Sequence, residues 1–399
     1  MKRKILLIVF LVTLMVMPAF AERVAMPPLA MPSAASSGFG GPHVAYTDNV
    51  FSLMVNPAAM MRVQQRSFVT LSTSIFSPQT THEIGRVVTD MVSSDDSINF
   101  GDLADTLSRN MGTVVLGAEL SGGIVPIHFA WVANGFGLGL WNRTFVQAQI
   151  VGDTVRAAIY HDTMLPIGFA FRILDANNHS LDAGFTLKPF VRVMASETMS
   201  IMDMMDGVDF NLSAPVIFGG GLDIGLLYRS PRGFQAGFTF TDVLSRGTVV
   251  ANLLETEVND SFYIPFAMNA GIAHSLRLGN IIGLTVAADW RDIGNAFNQT
   301  DYLNSRNFLL DLGIGAQLSL FNAIFVRAGI SEMLPAVGIG FRLGAVHIDL
   351  AYYGREFGYE PGMLSTAVVD LSFSIRPGAR ERNWVWTRNS VLGLFGVGR

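Results

Sequence analysis

The residue types that most often carry chemistry are scattered along this 399-residue chain. It has no cysteine, and its seven histidines include no pair at the spacing of zinc ligands. The G-x-S-x-G motif of serine hydrolases and the phosphate-binding P-loop are both missing from the sequence. We therefore predict a protein that is not an enzyme and has no catalytic residues, no metal site and no cofactor.

Charged residues recur instead at alternate positions of apolar segments, where they would share one face of a β-strand. In 369–376, for example, Val369, Leu371 and Phe373 alternate with Asp370, and the segment ends at Arg376. The full set is Arg143, Arg172, Arg192, Arg229, Arg291, Arg327, Arg342, Arg376, Asp182, Asp223, Asp289, Asp311, Asp349 and Asp370.

These charges could line a polar channel that selects solutes, or form a salt-bridged interior that supports the wall and binds a plug. The second role is favoured, because barrels can hold an internal plug. In either role we expect pairs between neighbouring strands, since unpaired charges in a poorly hydrated lumen are costly.

An alternation of period two dominates from residue 66 onward and predicts fourteen strands. Their approximate bounds are 67–76, 120–132, 136–150, 157–173, 181–195, 216–229, 234–243, 263–275, 281–292, 306–320, 323–331, 335–343, 345–353 and 365–376. Even-numbered strands are followed by short connections, and all the long connections follow odd-numbered strands. This order is typical of outer-membrane barrels, whose periplasmic turns are short.

We predict an all-β protein: a transmembrane antiparallel β-barrel of about fourteen strands spanning residues 66–376, with both termini in the periplasm. Residues 308–330 are apolar enough to suggest a spanning helix, but Asp311, Gln317 and Arg327 would then lie in hydrocarbon. A soluble β-sandwich is disfavoured because the face opposite the apolar one is mostly small residues with occasional charges.

Composition and the first residues indicate the compartment. The chain is 50% hydrophobic and only 15% charged, and its net charge of −5 argues against a nucleic-acid partner. A basic MKRK start, an apolar stretch over 5–17 and the triplet AFA at 19–21 predict a cleaved signal peptide over 1–21. We expect export to the cell outer membrane of a Gram-negative-type envelope, with the lipid bilayer as a partner.

Residues 22–65 are rich in proline, yet too apolar for a solvated tail. We predict that they form a plug, or hatch, inside the barrel lumen. Near its end the segment AYTDNVFSLMVNPAAM (45–60) contains a helix start, because Asn56 is a favoured N-cap and Pro57 suits the first turn.

This segment resembles the N-terminal hatch signature of FadL-type outer-membrane transporters of long-chain fatty acids and other hydrophobic compounds. The matching positions are Asp48, Phe51, Asn56, Pro57 and Ala58. The resemblance implies a fourteen-stranded barrel that takes up hydrophobic small molecules such as fatty acids passively, gated by movement of the hatch. We expect it to act as a monomer.

The resemblance also implies that ligands are captured between long extracellular loops. Two loops offer apolar side chains for this role: Met199, Met202, Met204, Met205 and Phe210 in one, and Leu253 and Leu254 in the other. Methionine suits an adaptable apolar surface. The alternative, that these side chains pack one loop against another, remains open.

The last residues, 377–399, are predicted to be a periplasmic tail. They contain four arginines and the aromatic residues Trp384, Trp386 and Phe395, which could contact a periplasmic partner. This tail supports an alternative function: a non-transporting outer-membrane barrel that serves as a secretion-system anchor or shuttle, or as a surface antigen.

Overall fold

A computed structural model describes residues 24–26, 28–29, 33–47, 49–63, 65–67, 69–77, 114–121, 129–151, 153–200, 202–203, 214–253, 261–278, 281–294 and 306–376. The predicted signal peptide, the C-terminal tail and the connection 78–113 lie outside these residues. Among the residues described, no helix is long and apolar enough to cross a membrane.

The described strands form one closed antiparallel barrel in which the chain crosses the wall fourteen times. Each crossing consists of one strand or two consecutive strand segments; we call it a stave and number the staves β1 to β14. Each stave pairs with the next along the chain, and β14 pairs with β1 to close the sheet. The staves are β1 (Gln65–Ser67 and Val69–Ser77), β2 (Val114–Ser121 and Phe129–Ala133), β3 (Phe136–Val151), β4 (Thr154–Met164 and Ile167–Ala176), β5 (His179–Ser200), β6 (Pro215–Arg229), β7 (Phe234–Asn252), β8 (Ala267–Leu278), β9 (Ile282–Trp290), β10 (Leu312–Leu320), β11 (Ile324–Ser331), β12 (Leu334–Leu343), β13 (Val346–Glu356) and β14 (Ser365–Ile375). This confirms the predicted fold class.

Short turns at 134–135, 177–178, 231–233, 321–323 and 344–345 lie at one end of the barrel, which we call the turn end. The opposite end, where the longer connections lie, is the loop end. Asn134 and Gly135 both have positive φ, at 53° and 80°, as a two-residue hairpin turn requires. The predicted even-strand turns are thus present wherever they fall within the described residues.

The outward face of the barrel is apolar. Across β11 to β14 a row of large side chains lies side by side and partly exposed: Val326, Ile339, Leu350 and Leu371. Ile314 on β10 is 58% exposed. An apolar belt this extensive is typical of a barrel surrounded by lipid.

Four strand limits differ from the prediction by five residues or more, and one of them is the start of β2, which lies at Val114 where 120 was expected. β5 continues to Ser200 and β7 to Asn252, where 195 and 243 were expected, because the added residues find partners on β4 and β6. β10 begins at Leu312, and a short 3₁₀ helix, Phe308–Asp311, precedes it. The side chain of Asn307 accepts a hydrogen bond from Leu309 N at 3.0 Å and caps that helix.

The described residues between 24 and 63 lie within the barrel. They form α1 (Ala34–Ser37), α2 (Ser52–Val55) and a 3₁₀ helix (Pro57–Met61). A two-residue strand, Val24–Ala25, pairs in parallel with Ser261–Tyr263, which in turn lies beside β7. Because the wall strands face these segments, their inward side chains determine how the plug is held.

Candidate functional site: the plug and the lumen

The local structure around Asn56 follows from its sequence. Asn56 has extended backbone angles, and its side-chain oxygen accepts a hydrogen bond from Ala58 N at 3.1 Å. Pro57 occupies the first position of the 3₁₀ helix, where a missing N–H costs nothing. The predicted cap is present, although the helix it starts is a single 3₁₀ segment.

The amide nitrogen of Asn56 makes contacts that local sequence does not predict. It donates to Val44 O at 2.9 Å and to Leu226 O at 3.2 Å. One side chain with 0% exposure therefore joins the start of the 3₁₀ helix, an earlier part of the plug and wall strand β6.

Glycines on the wall allow the plug backbone to approach. Gly184 on β5 and Gly225 on β6 are paired across the sheet. A β-carbon on Gly184 would lie 2.6 Å from the Pro57 carbonyl carbon, and one on Gly225 would overlap the Asn56 side chain. These two positions must be glycine if Asn56 and Pro57 are to lie against the wall.

One exception to the strand pattern also has a packing reason. Leu227 interrupts the alternation of β6, since it is a large apolar residue at an inward position. It is fully buried and packs against Ala58 and Ala59 of the plug. An apolar residue on the polar face of a wall strand was thus the sequence signal of a plug contact.

Polar contacts attach the plug to the wall at two further places. The Asp289 carboxylate on β9 contacts His43 Nδ1 and accepts a hydrogen bond from Val44 N at 2.8 Å. Near the end of the plug, Arg62 donates to the Ser180 hydroxyl, and its Nε lies 3.7 Å from an Asp182 oxygen. Burial lowers the pKa of Arg62, and the nearby Asp182 charge opposes that shift.

Several of the predicted inward charges pair with charges on neighbouring strands, as expected. Arg192 on β5 faces Asp162 on β4, with Nη2 2.9 Å from a carboxylate oxygen, and both side chains are buried. Further pairs of this kind are Arg143 with Glu119 and Arg172 with Asp182. Arg327 on β11 pairs with Asp349 on β13, across the intervening strand β12.

Sequence reasoning missed several members of this network: Glu119, Asp162, Lys188 and Asp242. Lys188 Nζ lies 2.7 Å from both Asp223 and Asp242, and it is almost completely buried. Its position relative to Asp182 and Arg192 on β5 has the same even spacing, so alternation could have identified it.

Two cavities lie in the lumen, on opposite sides of the plug. The loop-side cavity has a volume of about 340 Å³, and its wall includes Glu119, Arg143 and Arg355. The turn-side cavity has a volume of about 110 Å³, and its wall includes Arg342 and Arg376.

Both cavities share five lining residues, which we call the partition: Ser36, Gly41, Pro42, Phe51 and Val55. All five belong to the plug. The Phe51 ring lies 5.8 Å from the ring of Trp141 on β3, which is buried in the lumen.

The predicted gating residues thus have different positions. Phe51 is part of the partition, whereas Asn56, Pro57 and Ala58 are fully buried against the wall. Asp48 lies outside the described residues. A gating role for any of them stays a prediction.

The predicted capture residues are not brought together by the described part of the chain. Met199 lies on β5 and is 7% exposed, while Met202 is 71% exposed and Leu253 is 65% exposed. Met204, Met205, Phe210 and Leu254 lie outside the described residues. Within the described ranges, no group of three or more histidine, aspartate or glutamate side chains could hold a metal ion.

No family model and no curated protein matches this sequence. Solved structures with a similar fold include the Ralstonia pickettii toluene transporter TbuX, which is 12% identical with a TM-score of 0.47; the match covers 90% of this chain and 100% of that one. The Pseudomonas putida toluene transporter TodX is 13% identical with a TM-score of 0.47, covering 89% and 99%. A Pseudomonas aeruginosa FadL homologue is 10% identical with a TM-score of 0.41, covering 85% and 97%. At these identities and TM-scores the similarity assigns no function to this chain.

Proposed function

We propose that the protein is an outer-membrane channel for the passive uptake of hydrophobic molecules such as long-chain fatty acids, gated by its N-terminal plug. The observation that carries this proposal is the pair of lumen cavities separated by five plug residues. A blocked lumen with space on both sides is what a gated passage requires, whereas a purely structural filling would have no need of the two spaces.

The plug side of the loop-side cavity offers apolar contacts to a ligand, whereas the wall side carries charged residues. The plug contributes Leu29, Val44, Met54 and the partition residue Phe51 to the cavity. Methionine and aromatic side chains adapt to flexible chains and flat rings at low cost. Movement from this cavity to the other would follow the concentration gradient of the substrate and would use no catalytic step.

The contacts of the plug suggest which part moves. Asn56 is held by three hydrogen bonds, and the residues after it pack against wall strands. The preceding helix α2 has only four residues: it begins directly after Phe51 and ends at Val55. In the proposed opening, Phe51 and α2 swing aside while Asn56 and Pro57 act as the fixed anchor.

The test is uptake of radiolabelled oleate by cells that lack their own fatty-acid transporter and express this protein. We expect the double variant Asn56→Ala, Pro57→Ala to take up oleate several-fold faster, because a loosened anchor opens the partition more often. Asn307→Ala is the matched control, since the Asn307 side chain also caps a 3₁₀ helix and its hydrogen bonds are with Leu309 N and Glu360, outside the plug.

Correct insertion of each variant is checked by the heat-dependent electrophoretic mobility of folded barrels. Unchanged uptake in an inserted double variant would remove plug gating from the proposal. Uptake no greater than in cells without the protein, for the unmodified chain, would remove the channel itself and favour the anchor, shuttle or antigen alternative. The tail on which that alternative rests lies outside the described residues.

A further inference from the structure

His43 is a buried histidine that joins the plug to the wall. It is 3% exposed, and each of its ring nitrogens contacts an oxygen atom. Nδ1 contacts the carboxylate of Asp289 on β9, and Nε2 lies 2.8 Å from the backbone oxygen of Phe39. The opening described above makes no use of this contact.

Both oxygen atoms accept hydrogen bonds, and this decides how many protons the contact needs. A backbone carbonyl and a carboxylate cannot donate, whereas a neutral imidazole has only one N–H group. In neutral His43 the Nε2–H group would satisfy Phe39 O, and the lone pair of Nδ1 would face the lone pairs of Asp289. The contact is satisfied only when a second proton lies between Nδ1 and the carboxylate.

The wall around Asp289 cannot supply that proton. Across the sheet Asp289 is paired with Gly271 on β8 and Gly313 on β10, which have no side chain to donate a hydrogen bond. A β-carbon on Gly271 would lie 1.9 Å from Asp289 Oδ1, so this carboxylate lies directly against β8. Oδ1 accepts a hydrogen bond from Val44 N at 2.8 Å. Because a buried carboxylate is costly without partners, the contact with His43 is important to both segments.

Other charged and titratable groups surround the pair, but among the residues described only Asp289 meets the His43 ring. Arg291 follows Asp289 by two residues on β9 and donates to the Ser331 hydroxyl at 2.8 Å. The remaining groups are Asp311 ahead of β10, Tyr46 in the plug and, around the turn-side cavity, Arg327, Arg342, His347, Asp349 and Arg376. The charge of Arg291 favours a carboxylate at Asp289, but a guanidinium group does not give up its proton. The proton that is gained or lost in this contact therefore belongs to the His43–Asp289 pair.

The His43–Asp289 pair lies next to the partition. Gly41 and Pro42 directly precede its histidine, and both line the two cavities. Val44, the residue after the histidine, donates its N–H to the carboxylate of the pair, and its oxygen accepts from the Asn56 amide at 2.9 Å. The partition residue Phe51 lies between these two attachments in the chain, so each of them limits how far it can move.

We propose that the His43–Asp289 pair is a pH-sensitive latch between the plug and the wall. With its second proton the pair holds residues 39–44 against β9. When that proton is lost as the pH rises, Nδ1 and the carboxylate repel each other, and this end of the plug loosens while Asn56 stays in place. The latch is a property of the plug itself; only its effect on uptake, a partition that opens more readily at higher pH, rests on the proposed function.

The test is hydrogen–deuterium exchange of the full-length protein in detergent, from about pH 5 to about pH 9, which brackets the range in which histidine side chains change charge. Each rate is divided by the intrinsic chemical exchange rate at that pH. We expect peptides covering residues 38–47 to exchange at least about tenfold faster at the alkaline end, because a charged hydrogen bond is lost. Peptides covering residues 57–63, beyond Asn56, should change much less.

Two variants of the pair have opposite expected results. His43→Gln removes the titratable ring, so residues 38–47 should exchange rapidly at every pH. Asp289→Asn offers an amide N–H to Nδ1 of a neutral His43 and an oxygen to Val44 N, so the segment should stay protected at the alkaline end. His347→Gln is the matched control, since His347 is also a buried histidine of the turn-side cavity but lies on β13; it should keep the pH response. Insertion is checked by heat-dependent mobility.

Exchange of residues 38–47 that does not depend on pH in the unmodified protein would refute the latch. A pH response that persists in His43→Gln, or that disappears in His347→Gln, would assign it to another group. Rapid exchange of Asp289→Asn at the alkaline end would show that the second proton is not what holds the segment. These outcomes are independent of transport: a protein that takes up no oleate still shows the latch, and pH-independent exchange leaves oleate uptake standing.

Discussion

Asn56→Ala is the substitution whose effect on the plug can be worked out most fully. It removes the acceptor of the Ala58 N–H and the donor to the carbonyl oxygens of Val44 and Leu226. A hydrogen bond contributes a net of about 0.5–1.5 kcal/mol, so these three, two buried and one part-buried, contribute roughly 3 kcal/mol to holding the plug. The outward face of the barrel is untouched.

The appropriate measurement is hydrogen–deuterium exchange of plug peptides in the folded protein, because exchange reports local opening. A loss of roughly 3 kcal/mol corresponds to about 100-fold faster exchange over residues 44–63, since each 1.4 kcal/mol is a factor of ten. Peptides from β10 to β12, which do not contact Asn56, should exchange as in the unmodified protein.

Two further variants test the reasoning. Asn49→Ala removes one local hydrogen bond, to Phe51 N at 2.9 Å, and should speed exchange by less than tenfold. Asn56→Asp keeps the cap on Ala58 N but sets its second carboxylate oxygen against two carbonyl oxygens, so it should loosen the plug at least as much as Asn56→Ala. If exchange in Asn56→Ala were no faster than in Asn49→Ala, the three contacts would not hold the plug and the anchor would be refuted.

Three other predictions follow from the lumen contacts. Phe51→Ala removes the largest partition side chain and should raise single-channel conductance in planar bilayers. Phe136→Ala is the control and should not raise it, because the Phe136 ring packs on that of Phe169, 5.1 Å away, and is not part of the partition. Equal conductance of the two variants would place the barrier elsewhere. Gly225→Ala should displace the plug and make it protease-sensitive, whereas Gly220→Ala on the same strand, with its nearest neighbour at 3.9 Å, should not; equal sensitivity would contradict the close approach. Lys188→Met leaves two buried aspartates without their shared cation and should lower the free energy of unfolding by about 3–5 kcal/mol. This loss would appear as a lower urea midpoint. An unchanged midpoint would mean that another group compensates the two carboxylates.

The strand pattern was predictable because each wall residue has one of two environments. Alternation assigns side chains to lipid or lumen, and that assignment needs only nearest neighbours in sequence. The turns after the even-numbered strands follow from short-range chemistry, as at Asn134 and Gly135. The limits of β5, β7 and β10 were less predictable, because strand ends depend on partners in other strands and on a local cap.

The existence of the plug was predictable from the sequence, but its contacts with the wall were not. A proline-rich, apolar segment that precedes a barrel can bury its apolar side chains in the lumen. Asn56 is a residue type that favours the N-cap of a helix. The partners of that amide, however, lie 12 and 170 residues away, and no local pattern encodes such distances. Leu227 and Gly225 are the sequence signals of the contacts between β6 and the plug. They can be interpreted only once the plug is placed against this strand.

By itself, the sequence determined the period-two strands, their turns, the two faces of the wall and the capped segment before the first stave. The tertiary structure alone decided which wall residues meet the plug, that five plug residues separate two cavities, and that three arginines from β11, β12 and the end of β14 line one of them. The physical reason is closure: alternation specifies which face a side chain occupies, whereas the curvature and register of the closed sheet decide which inward side chains share a space.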